Sequence, residues 1–109
     1  MRFRAVLAIL AIMLCGLVPT AWGQSAKPSG RDALGCFDLE LSKRTSTIAN
    51  SGDQEAFNKL AGPAVRAGKC QVVAKGTMLF KEDTALMSGL ACFRPVGDTR
   101  CLWMASDLT

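Results

Sequence analysis

The 109-residue chain contains no histidine. Serine or cysteine nucleophiles activated by an imidazole are therefore excluded. No Cys-x-x-Cys pair occurs either, so the closely spaced ligand pairs of a structural zinc site have no counterpart. There is no glycine-rich phosphate loop, because the glycines stand at turn positions. The longest apolar run, Ala5 to Val18, is about 14 residues, short of the roughly 20 that a spanning helix needs. The remaining candidates for chemistry are weak. Ser42 and Lys43 are adjacent and point apart on a helix. Asp38 with Glu40, and Glu82 with Asp83, fall in a helix start and a turn, where capping and solvation account for them. The sequence predicts no enzyme, no catalytic residue, no cofactor and no metal site.

What is present begins with an export signal. Arg2 and Arg4 precede the apolar run, Pro19 breaks it, and Ala21-Trp22-Gly23 places small residues where a signal peptidase reads. Cleavage is expected before Gln24, with an uncleaved anchor as the alternative. Cys15 follows Leu14, where lipidation requires a small residue, so it is not read as a lipid site. Removing residues 1–23 takes two arginines with it. The thirteen Lys and Arg become 11 against nine Asp and Glu, and the net charge falls from +4 to +2. A balance of that size argues for neither nucleic acid, which wants a clustered basic face, nor stable membrane insertion. The expected location is periplasmic or secreted.

The mature chain reads as one small domain. Residues 24–31 are expected to be a flexible leader, and 32–109 a single domain, helical over 32–68 and β over 69–109. Phe37, Leu41 and Ile48 share one face of a helix over about 37–50, weakened by the run Ser42 to Thr47. Gly52 is suited to the left-handed stop, and Asp53 to the next cap. Ala56, Phe57, Leu60, Ala61, Ala64 and Val65 form a second helical stripe, with Pro63 as a kink or restart and Gly68 as the stop. From Lys69 the period becomes two, and Thr77 to Phe80 continues as strand. Lys81 to Thr84 reads as a polar break, and Leu86 and Met87 as a loop dropping back onto the core. A strand over Gly89 to Arg94, a turn at Pro95 to Asp98 and a returning strand over Thr99 to Met104 complete the chain.

Cys36, Cys70, Cys92 and Cys101 imply two disulfides in an oxidising compartment. Four cysteines allow three pairings. If Arg94 and Thr99 close a four-residue loop, Cys92 lies opposite Cys101, within disulfide reach. Cys36–Cys70 follows by elimination and would join the first helix to the first strand. The expected fold is therefore α+β, a helical hairpin on a small antiparallel sheet held by two disulfides.

Lys75-Gly76-Thr77 and the closing segment from Gly89 through Trp103 to Leu108 resemble a bacterial SH3-like domain over about 69–109. Extending the resemblance back to Gly62-Pro63 makes 57–69 a loop, whereas the apolar stripe makes 53–67 helical, and the helical reading is kept. The glycine that precedes the family's tryptophan is replaced here, since Cys101-Leu102 stand before Trp103. The resemblance implies binding of cell-wall peptide, glycan or a partner protein.

The expected function is an exported, non-catalytic binding module for a protein or cell-wall component. The alternative is a small inhibitor of an exported enzyme such as a wall hydrolase, inserting the Pro95–Asp98 turn. The candidate ligand surface comprises Trp103 and Phe93, with a possible basic stripe of Lys69, Lys75 and Lys81. Loop closure gives about 2.5–3 kcal/mol for the smaller disulfide loop and about 4 kcal/mol for the larger. Together these match the net stability of a small domain. Reduction is expected to unfold or greatly loosen the protein, and a reduced sample that melts with unchanged cooperativity would contradict this.

Overall fold

The computed structural model describes residues 25–109. The expected export signal over 1–23, with Cys15, lies outside them. The described elements are β1 (Lys27–Pro28), β2 (Ala33–Cys36), α1 (Leu39–Ser51), α2 (Gln54–Arg66), β3 (Cys70–Val73), β4 (Met78–Ala85), β5 (Leu90–Pro95) and β6 (Leu102–Ala105). The strands form one antiparallel sheet in the order β1-β4-β5-β6-β2-β3. The fold is α+β with both disulfides, Cys36–Cys70 and Cys92–Cys101.

The helices end where local chemistry directs. The Asp38 carboxylate accepts from the Leu41 N–H, and the Asp53 carboxylate from the Ala56 N–H, each satisfying an orphan donor of a first turn. Gly52 closes α1 at φ 78, a conformation open to glycine because it has no Cβ. At the end of α2 the Gly68 N–H donates to Val65 and the Lys69 N–H to Ala64. This pair is a Schellman stop. Helix α2 continues through Pro63 rather than restarting there.

The sheet is rolled. Adjacent strands lie about 4.8 Å apart, so a flat sheet would hold β3 and β4 about 19 Å apart, with three strands between them. Yet only residues 74–77 connect them, and the Thr77 N–H turns back to the Ala74 carbonyl at 3.1 Å. The sheet must curl to bring its ends together. Val73 of β3 and Leu79 of β4 accordingly share one core with Ala91, Phe93, Leu102, Met104 and Leu108. Gly35 makes the tight curl possible on β2. A Cβ there would stand 2.7 Å from the Leu102 Cβ and 2.8 Å from the Met104 Cγ.

The helical hairpin is an excursion between β2 and β3. Its two ends are register partners, Cys36 opposite Cys70, and the disulfide joins them. That bond links strand to strand, not helix to strand as expected, because Ala33–Cys36 is a strand. The four residues carry a glycine and are too short to show a period, which concealed them beside the longer helical pattern. Cys36, Cys70 and Ala64 form a second cluster, with Leu34 and Leu41 packed on it, between the helices and the outer face of the sheet.

Several other expectations are corrected. Residues 27–31 are not a free leader. Lys27 and Pro28 pair with β4, Ser29 is buried, and its backbone bonds Thr77 and Gly76. Pro28, which lacks an N–H, is tolerated because β1 is an edge. Gly30 donates to the Leu108 carbonyl, and Arg31 pairs with Asp107 at 3.0 Å. The hydrogen bond and charge of that guanidinium hold the Asp107 carboxyl below its ordinary value. Lys81 to Thr84 does not break the strand: β4 runs through, with a bulge between Lys81 and Asp83. It is polar because Leu79 is its one buried residue. Leu86 and Met87 project into solvent at the β4–β5 tip instead of dropping onto the core.

The α1 face against the sheet is polar. Ser42 and Thr45 are its buried residues, while Leu41 and Ile48 are half-buried. The Ser42 hydroxyl lies 3.3 Å from the Cys36 carbonyl and 3.1 Å from that of Trp103. Those two residues form the sole register pair between β2 and β6, so the hydroxyl meets both strands at their one point of pairing. The run that weakens the helix by propensity thus seats it on the sheet.

Gly35→Ala is expected to destabilise the protein by about 1–3 kcal/mol through overpacking. Urea unfolding checks this, and an unchanged midpoint would mean that β2 has room to shift.

Candidate functional site

Three of the four disulfide cysteines belong to one row of side chains. Across the sheet, Asp83, Cys92, Trp103, Cys36 and Cys70 are successive register partners on β4, β5, β6, β2 and β3. Directly paired residues point to the same face, so this row lies on the outer face that the helical hairpin covers. Phe93 and Leu102, one position along, face the rolled core.

This parity separates the two aromatic residues expected to form a groove. Trp103 is half-buried on the outer face. It lines a cleft of about 170 Å³ between α1 and the sheet, with Ser42, Thr45 and Phe57 among its walls. Phe93 is 0% exposed on the inner face and forms no part of a ligand surface. The three lysines do not make a stripe. Lys69 precedes β3, Lys75 stands in the 74–77 link, where its N–H donates to Asp32, and Lys81 is on β4. The Lys81 ammonium sits 3.3 Å from the Ser106 carbonyl and 5.7 Å from the Phe93 ring centroid. Strands β3 and β4 are not neighbours, so shared parity along the chain does not put these lysines side by side.

Cys92 and Cys101 are bonded, but not as facing residues. The ladder pairs Cys92 with Trp103 and Phe93 with Leu102, leaving Cys101 in the loop just before β6. The Cα–Cα distance is 5.3 Å. The loop is longer than the four residues expected because β5 continues to Pro95 against β4, so β6 starts later.

The open groove on this side of the molecule has a volume of about 570 Å³ and is lined by Phe37, Asp38, Glu40, Leu41, Arg44, Lys69 and Arg100. Three of these residues are chain neighbours of disulfide cysteines. Phe37 follows Cys36, Lys69 precedes Cys70, and Arg100 precedes Cys101. The Phe37 N–H also donates to the Lys69 carbonyl at 3.1 Å. The carbon of the Arg100 guanidinium is 3.7 Å from the Phe37 ring centroid, which lays the cation on the π face. Phe37 in turn packs against the rolled core. The aromatic and two of its cations are thus held at their backbones by covalent cross-links.

Charge in the groove is unevenly satisfied. Glu40 pairs with Lys43 at 3.3 Å, and Asp38 is engaged in capping α1. Among the described residues, Arg44, Lys69 and Arg100 take part in no salt bridge. Three cations without a salt-bridge partner, set against the two carboxylates of the same lining, therefore border a half-buried aromatic and an aliphatic side chain, Leu41. This arrangement can hold an anion against an apolar surface. Among the described residues, no group of three or more Cys, Asp or Glu side chains is placed to hold a metal ion.

Comparison with protein-family models, with curated proteins and with solved structures finds no match. The groove is thus read from its own geometry. Of its cations, sequence reasoning had singled out Lys69 alone and missed Arg44 and Arg100. A visible signal was the position of Phe37, Lys69 and Arg100 beside cysteines.

Arg100→Ala is expected to cost no more than about 1 kcal/mol of stability, the size of an exposed cation–π contact. Denaturant unfolding reads it. A loss above about 2 kcal/mol, typical of core disruption, would show that Arg100 holds the fold rather than being available to a ligand.

Proposed function

We propose that the protein is an exported, non-catalytic binding module for a protein or cell-wall component, and that the Phe37 groove is its ligand site. The observation that carries this reading is the cluster of three unpaired cations around an aromatic, braced by both disulfides. Side chains carried on cross-linked backbone favour affinity because less conformational freedom is lost on binding. Two disulfides suit an oxidising compartment. Among the described residues no helix is long and apolar enough to cross a membrane. The non-catalytic part of the proposal rests on the missing histidine and on carboxylates that cap or pair. The SH3-like character of 69–109 belongs to the same proposal and rests on the motifs Lys75-Gly76-Thr77 and Gly89 to Leu108.

The inhibitor reading has one supporting feature. The Pro95–Asp98 turn is closed by an Asp98 N–H donating to the Pro95 carbonyl at 3.0 Å, and it exposes Val96. The two readings predict different partners. Oxidised protein is expected to co-sediment with purified peptidoglycan or to capture an envelope protein. Arg44→Glu/Lys69→Glu is expected to weaken that retention at least about tenfold, as like-charge placement at an interface does. Tight binding to a wall hydrolase that Val96→Asp abolishes and the groove variant leaves intact would transfer the function to the turn. Retention by neither material would remove the binding-module reading.

A further inference from the structure

The groove's composition narrows its ligand. We infer that it takes an acidic peptide segment of a partner protein, one in which carboxylates alternate with an apolar side chain. This rests on the groove being the ligand site. The cations come from three separate places, with Arg44 on α1, Lys69 in the α2–β3 link and Arg100 in the β5–β6 loop. A ligand that engages all three must distribute its negative charge along its length, as a peptide with several carboxylates does.

The rim also carries Asp38 and Glu40. These repel a continuous polyanion, so a nucleic acid backbone or an anionic lipid surface fits poorly. A peptide can place a neutral backbone or a donor beside them. Phe37 and Leu41 then require something apolar. One face of Phe37 carries the Arg100 guanidinium and the ring packs on the core, so an aliphatic side chain of the ligand is expected to rest on Leu41 and the ring edge. Arg100 suits the carboxylate for a second reason. Stacking occupies the face of its planar group and leaves the in-plane N–H edge, which binds a carboxylate in bidentate fashion. Among the described residues no side-chain hydrogen bond uses that edge. A volume of about 570 Å³ lies in the range of pockets that enclose a compact ligand, enough for a few residues of peptide.

The test is an amide-resolved NMR titration of the oxidised, isotope-labelled protein. The probe is a capped hexapeptide, Glu-Leu-Asp-Leu-Glu-Leu. Its controls are the same peptide with lysine at every acidic position, and inorganic phosphate. The acidic peptide is expected to shift the Phe37, Lys69 and Arg100 amides. Its binding should weaken at least about fivefold at high salt, because exposed charges are screened. Arg44→Glu/Lys69→Glu should lose at least about tenfold in affinity, and Arg44→Gln/Lys69→Gln somewhat less. The spectrum itself reports whether each variant is folded.

The inference is overturned if the acidic peptide causes no shifts in the groove at millimolar concentration. It is also overturned if phosphate reproduces the same shifts at equal concentration, which would mark a small-anion site, or if the charge-reversed variant binds the peptide unchanged. Retention on envelope material that persists while the peptide fails would leave the binding-module reading standing and remove the acidic-peptide ligand alone.

Discussion

The structure depends on the neck at Cys36 and Cys70. Strands β2 and β3 pair there, and the disulfide joins residues 34 apart in sequence. The segment between them is the entire helical hairpin, so the cross-link holds the two ends of that hairpin together. Without it, α1 and α2 would be tethered to the sheet chiefly by a small cluster, Cys36, Ala64 and Cys70 with Leu34 and Leu41. A core of that size offers little against the conformational entropy of two 13-residue helices. In the entropic model, closing a long loop in advance lowers that cost.

The second disulfide completes the same row. Cys92, Trp103 and Cys36 stand side by side on three neighbouring strands, with the Trp103 carbonyl taken by Ser42 of α1. The sheet is thus cross-linked within itself on either side of the point where a side-chain hydrogen bond from α1 meets it. The inner face of the sheet needs none of this. Phe93, Leu102, Met104 and Leu79 close around each other as the sheet rolls, and Gly35 leaves them the space. The molecule has two kinds of interior, an apolar one inside the roll and a cross-linked, partly polar one beneath the helices.

Placement of the groove follows from that division. Each cross-link fixes the backbone of its neighbours in the chain, and Phe37, Lys69 and Arg100 are among those neighbours. A small domain has few rigid positions from which to present side chains, and here the most rigid ones border an open groove. The exposed tip of Leu86 and Met87 is the contrasting case. Leu86 is 88% exposed, and the tip is held by Ser88 turning back to Ala85, but no cross-link lies beside it.

The sequence by itself determined whatever depends on near neighbours. The helix ends at Gly52, Asp53 and Gly68, the change from helix to strand near residue 69 and the two-disulfide framework were all legible, because caps, periodicity and cysteine count act locally or combinatorially. Tertiary structure decided what depends on contact between distant segments. It turned Ala33–Cys36 into a strand, gave residues 27–31 partners for their backbone, and carried β4 through Glu82 by a bulge. It also shifted β6 two positions from the expected register, so Cys92 faces Trp103 while still bonding Cys101. That shift, with the roll of the sheet, placed Phe93 inside and Trp103 under α1. It gathered Arg44, Lys69 and Arg100 around Phe37, a grouping that periodicity along the chain does not encode, since these residues meet through sheet pairing and two covalent bonds.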